Sequence, residues 1–199
     1  GGLLEGFRYV WRRPDLKAMM VMLFLIGTFG FNFPIYISTM SVTVFHGGAD
    51  QYGLLTSALA IGSVGGALLA ARRERPDLPL LAVSTLAFGV FCTLAGVAPH
   101  VIVFAAMLTM TGFSALTFNT ASNALMQLTT DPAMRGRVMA LRMAVIMGGT
   151  PLGAPIVGWL ADHAGPRWAM MVAAASGLIA AAVAARLILH ERRRQASTG

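Results

Sequence analysis

The sequence predicts an all-α integral membrane protein, a bundle of six transmembrane helices, and three observations lead to that fold class. Of 199 residues, 56% are hydrophobic and only 12% are charged, whereas soluble domains carry about a quarter charged residues. The charges sit in short clusters that separate long uncharged runs, which is the pattern of a chain crossing a bilayer several times. Within the runs Leu, Ala, Met and Gly follow one another without alternation. Barrel strands would instead alternate every second residue, so helices are the expected spanning element.

A hydrocarbon core of ~30 Å takes about 20 helical residues. No Asp, Glu, Lys or Arg lies between Lys17 and Asp50, or between Asp50 and Arg72. The same holds between Asp77 and Asp131, Arg142 and Asp162, and Arg167 and Arg186. The window from Asp77 to Asp131 holds two spans, divided at Pro99-His100. Spans one to six are therefore expected at about 17–45, 52–71, 78–97, 101–127, 138–160 and 167–189. Residues 1–15 read as an amphipathic cytoplasmic linker, with Leu3, Phe7, Val10 and Trp11 on one face and Glu5, Arg8 and Arg12 on the other. Residues 190–199 read as a basic cytoplasmic tail.

Orientation follows from the cations. Of 15 Lys and Arg residues, only Arg167 falls on the second side when six helices alternate. The side holding the others is expected to be cytoplasmic, which puts both termini there. The net charge of +7 thus belongs to loops and not to one water-facing surface, so nucleic-acid binding is not expected. Neither is an enzyme or a cofactor. His46, His100, His163 and His190 are isolated, and neither H-E-x-x-H nor G-x-S-x-G occurs. Cys92 is the only cysteine, which excludes an intrachain disulfide and a cysteine-based metal site. Because the chain starts Gly1-Gly2 without Met, it is expected to be a segment of a longer product.

Polarity distinguishes the spans. Three and six carry few polar side chains and read as peripheral, lipid-facing helices. On span four Thr109, Gly112, Leu116, Asn119, Thr120, Asn123 and Gln127 recur at three- and four-residue spacing. Amides in hydrocarbon need partners or water, so this stripe is expected to line a cavity or bond to neighbouring helices. Span one has a parallel stripe in Thr28, Asn32, Tyr36, Thr39 and Thr43, with Pro34 as the expected kink. Spans two and five are glycine-rich. Gly62 and Gly66 in one, and Gly149, Pro151, Gly153 and Pro155 in the other, are candidate gate or kink positions, where a bend or close helix packing is expected. Arg142, about one turn inside span five, is expected to snorkel to the membrane surface.

Several of these stretches resemble a known family. Tyr52-Gly53-Leu54-Leu55-Thr56-Ser57-Ala58, followed by Gly62 and Gly65-Gly66, resembles the second helix of the carboxy-terminal half of a major facilitator superfamily transporter. Arg135-Gly136-Arg137-Val138-Met139-Ala140-Leu141 resembles the loop before that half's fifth helix. Thr150-Pro151-Leu152-Gly153, then Gly158 and Gly165-Pro166-Arg167, resembles the helix and turn that follow. The set is similar to the enterobactin-exporter and macrolide-efflux-like branch. The resemblance implies half of a twelve-helix fold with an inverted three-plus-three repeat. A faint trace of such a repeat relates Gly66-Ala67-Leu68-Leu69-Ala70 to Gly158-Trp159-Leu160-Ala161-Asp162.

It also implies a secondary active exporter working by alternating access against a missing amino-terminal six-helix half. Its expected partners are the lipid bilayer, a bulky and partly apolar small molecule such as a drug or siderophore, and protons. Asn32, Tyr36, Asn119, Asn123 and Gln127 are the candidate substrate-path residues, with Met143 and Met147 as adaptable apolar contacts. The alternative is a non-transporting six-helix membrane assembly or signalling protein.

Overall fold

The computed structural model describes residues 1–199 and is helical almost throughout. Six helices are long and apolar enough to cross a membrane: Pro14–Val44, Ala49–Arg72, Leu78–Gly96, Val101–Thr129, Arg135–His163 and Pro166–Thr198. They are spans one to six. The boundaries follow local chemistry. Asp77 caps span three by accepting from the Leu80 N–H at 2.9 Å. Pro34, Pro79 and Pro166 stand in the first turns of their helices, where no donor is lost. Gly165 turns the chain into span six at φ +105°, a conformation that suits glycine alone. One boundary differs from expectation: span six continues as a helix through residues 190–198, so the basic tail is its last turns.

Span one is the interrupted helix. It runs as α-helix over Pro14–Leu25, widens to a π turn at Ile26–Gly30, breaks, resumes at Phe33–Thr39 and ends in a second π turn at Met40–Val44. Pro34 explains the break, because it lacks an N–H and its ring clashes with the carbonyl one turn back. Side chains satisfy the exposed acceptors. The Asn32 amide donates to the Thr28 carbonyl at 2.6 Å, and the Tyr36 hydroxyl donates to the Phe29 carbonyl. Span five, by contrast, is one uninterrupted helix through both Pro151 and Pro155.

Packing follows the inverted repeat. Span two lies along span four as span five lies along span one, and span three meets four as six meets one. Spans three and six close the bundle by packing on each other. Glycines set the first two crossings. A Cβ at Gly62 or Gly66 would overlap the carbonyl oxygens of Thr109 or Phe113 in span four. A Cβ at Gly153 would overlap the carbonyl of Thr28 in span one, and Gly149 sits against the same residue. Two glycines four apart give each helix a groove deep enough for its neighbour's backbone. The repeat register thus pairs Gly62 and Gly66 with Gly149 and Gly153, and not Gly66 with Gly158.

The basic loops gather at one end. Arg13 donates to the Thr129 carbonyl at 3.0 Å, linking the start of span one to the end of span four. Arg137 pairs with Glu5 of the amino-terminal helix at 2.6 Å. At the far end Arg167 donates to the Gly96 carbonyl at 2.9 Å. The amino-terminal helix Gly2–Arg12 turns Val10 into the bundle and leaves Leu3, Phe7 and Trp11 exposed.

Candidate functional site

Helical rotation decides what each span presents. On span five Val138, Arg142, Gly149, Gly153 and Val157 form the buried stripe. The opposite stripe is bare: Met143 is 54% and Met147 69% exposed, and Pro151 and Pro155 lie on the same open side. On span four Asn119 and Asn123 are half-buried and Gln127 is exposed. The amide stripe and the methionine stripe stand on helices that meet at the basic end of the bundle.

That meeting is made by Arg142. Its side chain does not snorkel. It is 6% exposed and turns back toward span four, where Nη2 donates to the Asn119 carbonyl at 2.8 Å and to Asn119 Oδ1 at 2.9 Å. The Ser122 hydroxyl accepts from the same nitrogen at 3.1 Å. No carboxylate joins the cluster, and the buried Nε has no partner. The reason for inward rotation is positional: Arg142 lies seven residues before Gly149, on the stripe that Gly149 and Gly153 press against span one. Neutral acceptors from span four then replace the water that a surface guanidinium would have. The spacing from Arg142 to the two glycines was the signal that could have revealed this contact in the sequence.

Asn32 and Tyr36 sit elsewhere. Both are buried inside the bundle, at 2% and 0% exposure, and their polar atoms bond to carbonyls of span one itself. The structure therefore brings Asn119 to Arg142, leaves Asn123 half-buried and Gln127, Met143 and Met147 exposed, and places Asn32 and Tyr36 at the break in span one. No group of three or more His, Cys, Asp or Glu side chains is assembled. Cys92 is fully buried between spans.

Comparison with known proteins agrees with this architecture. Residues 18–199 match the family model of the Major Facilitator Superfamily. The chain is 29% identical to the multidrug efflux pump Tap of Mycolicibacterium fortuitum, over 82% of this chain and 40% of that protein. It is 30% identical to the enterobactin exporter EntS of Citrobacter koseri, over 96% of this chain and 46% of that protein. The same exporter of Shigella flexneri is 29% identical over 96% of this chain and 45% of its own length. The chain thus spans about half the length of the curated relatives it matches. Six apolar helices packed as an inverted repeat, with a family match covering nearly all of them, establish that the chain is a multi-pass membrane protein and belongs to the Major Facilitator Superfamily.

Proposed function

We propose that this chain is the carboxy-terminal half of a secondary active exporter that works by alternating access against a second six-helix half. The observation that carries this reading is the pairing of two open stripes on spans four and five. Half-buried Asn123 and exposed Gln127 stand on one, and exposed Met143 and Met147 on the other. Amides and flexible thioethers together suit a bulky, partly apolar solute such as a drug or siderophore. The relatives named as a multidrug efflux pump and an enterobactin exporter support the same class. Arg142 and Asn119 hold the two stripes in register, while Asn32 and Tyr36 act one layer behind them by stabilising the break in span one.

The basic end faces the cytoplasm, most naturally of a bacterial inner membrane, because cations are retained on that side. If protons drive export by antiport, their carrier belongs to the other half. All 8 acidic residues here lie near helix ends or outside the spans. Cysteine labelling tests the path. With buried Cys92 silent, Asn123→Cys and Asn119→Cys in the full-length protein should react with a membrane-impermeant maleimide in at least one vesicle orientation, and Asn32→Cys should not. Complete protection of Asn119→Cys and Asn123→Cys in both inward- and outward-facing states overturns the assignment.

A further inference from the structure

At the basic end a groove of about 730 Å³ opens between the start of span one and the end of span six. Its walls differ by depth along the helices. Val21 and Val183 line the part nearer the middle of the bundle, and Lys17, Arg186, His190 and Arg193 line the part nearer the helix ends. No acidic residue lines it. The spacing is helical on both sides: Arg186, His190 and Arg193 share one face of span six, and Lys17 and Val21 share one face of span one. The two ion pairs of the chain, Arg13 with Asp15 and Arg137 with Glu5, involve none of these cations.

We propose that this groove binds an anionic phospholipid of the surrounding leaflet, with its phosphate between Lys17, Arg186 and Arg193 and an acyl chain along Val21 and Val183. Three cations gathered at the level where spans one and six leave the hydrocarbon require counter-charge, and a lipid phosphate lies at that depth. Arg and Lys stems reach such a phosphate while keeping their methylenes on apolar surface. A soluble anion would satisfy the cations and leave the valine walls uncovered. A zwitterionic lipid would cover the valines and bring its own cation among the three. An anionic lipid satisfies both parts of the groove at once. The Lys17 ammonium lies 4.2 Å from the centre of the ring of Trp11, a residue outside the groove wall, and its flexible stem would swing it to the phosphate.

The test is native mass spectrometry of the full-length protein equilibrated with phosphatidylglycerol or phosphatidylcholine. Retention of phosphatidylglycerol over phosphatidylcholine is expected. The double variant Arg186→Gln/Arg193→Gln should bind phosphatidylglycerol about thirtyfold more weakly, about fivefold for each exposed cation removed. Arg72→Gln/Arg75→Gln removes the same charge from the same end of the bundle, outside the groove, and should leave binding unchanged. Equal retention of the two lipids overturns the proposal, as does an equal loss in both double variants. Release of bound phosphatidylglycerol by inorganic phosphate at equal concentration would overturn it too, since it would mean that the site takes an anion without the acyl chain.

Discussion

Spans two and five differ from spans three and six in how they use the same residue. Three and six pack glycine on glycine, Gly89 against Gly177, and 39% of the residues in each apolar window are buried. Two and five press their glycines against spans four and one, and their windows are only 22% and 17% buried. Hydropathy alone ranks three and six as the outermost helices, yet within this bundle two and five are the barest. Their outward faces carry Ile61, Val64 and Leu68 on one and Met147, Leu152 and Ile156 on the other. Each of these two helices is held chiefly along a glycine groove, and much of its remaining surface is open. On the proposed reading, these bare faces are the ones a second half would cover and move against.

The glycine crossings give the largest test of that contrast. Gly153→Ala sets a methyl group on the Thr28 backbone carbonyl, which cannot rotate away, and should destabilise the protein by about 3 kcal/mol. Gly96→Ala, at the end of span three, meets chiefly the terminal methyl of Met171, which can turn aside, and should cost less than about 1 kcal/mol. Denaturant midpoints in detergent measure both. Equal losses would mean that the Met171 methyl at Gly96 yields no more easily than the Thr28 carbonyl at Gly153.

A smaller effect is expected at the second attachment of span five. Asn119→Leu removes the Oδ1 acceptor of the buried Arg142 guanidinium, leaving it the residue-119 carbonyl and the Ser122 hydroxyl, and should cost about 2 kcal/mol in the same assay. Arg142→Met removes the charge together with its need for partners and should cost about 1 kcal/mol or less. The reverse order would mean that the guanidinium itself stabilises the contact of spans four and five. The smallest effect on folding separates lipid from partner at the bare faces. Leu152→Trp and Leu86→Trp should both leave this half folded, because each side chain is exposed in it. Transport by the full-length protein should fall about tenfold for Leu152→Trp, where the proposed second half would resist added bulk, and stay unchanged for Leu86→Trp in lipid. Equal transport by both variants would place the outer face of span five in lipid as well.

Much of the fold was legible in the residues themselves. The order of six spans, the interruption near Pro34 and the gathering of basic loops at one end each follow from charge and proline positions. The site was less legible. Asn119 stood out as a polar group in span four, but its bond to Arg142 did not, because a long cationic side chain one turn inside a span can turn outward or inward. The same ambiguity affects Asn32 and Tyr36, whose polarity suggests a cavity and whose hydrogen bonds end on their own helix.

Hydrophobic length and charge thus determined by themselves how many spanning helices there are and about where each lies, though not that span six runs on through residues 190–198. Every backbone group in hydrocarbon must be satisfied within its own helix, so that decision is local. Tertiary packing decided the rotation of each helix: that Gly149 and Gly153 face span one, that Arg142 is carried inward with them, and that Met143 and Met147 are left outside. Those outcomes depend on which neighbour's backbone fits each glycine groove, a property of two helices together that neither segment carries alone.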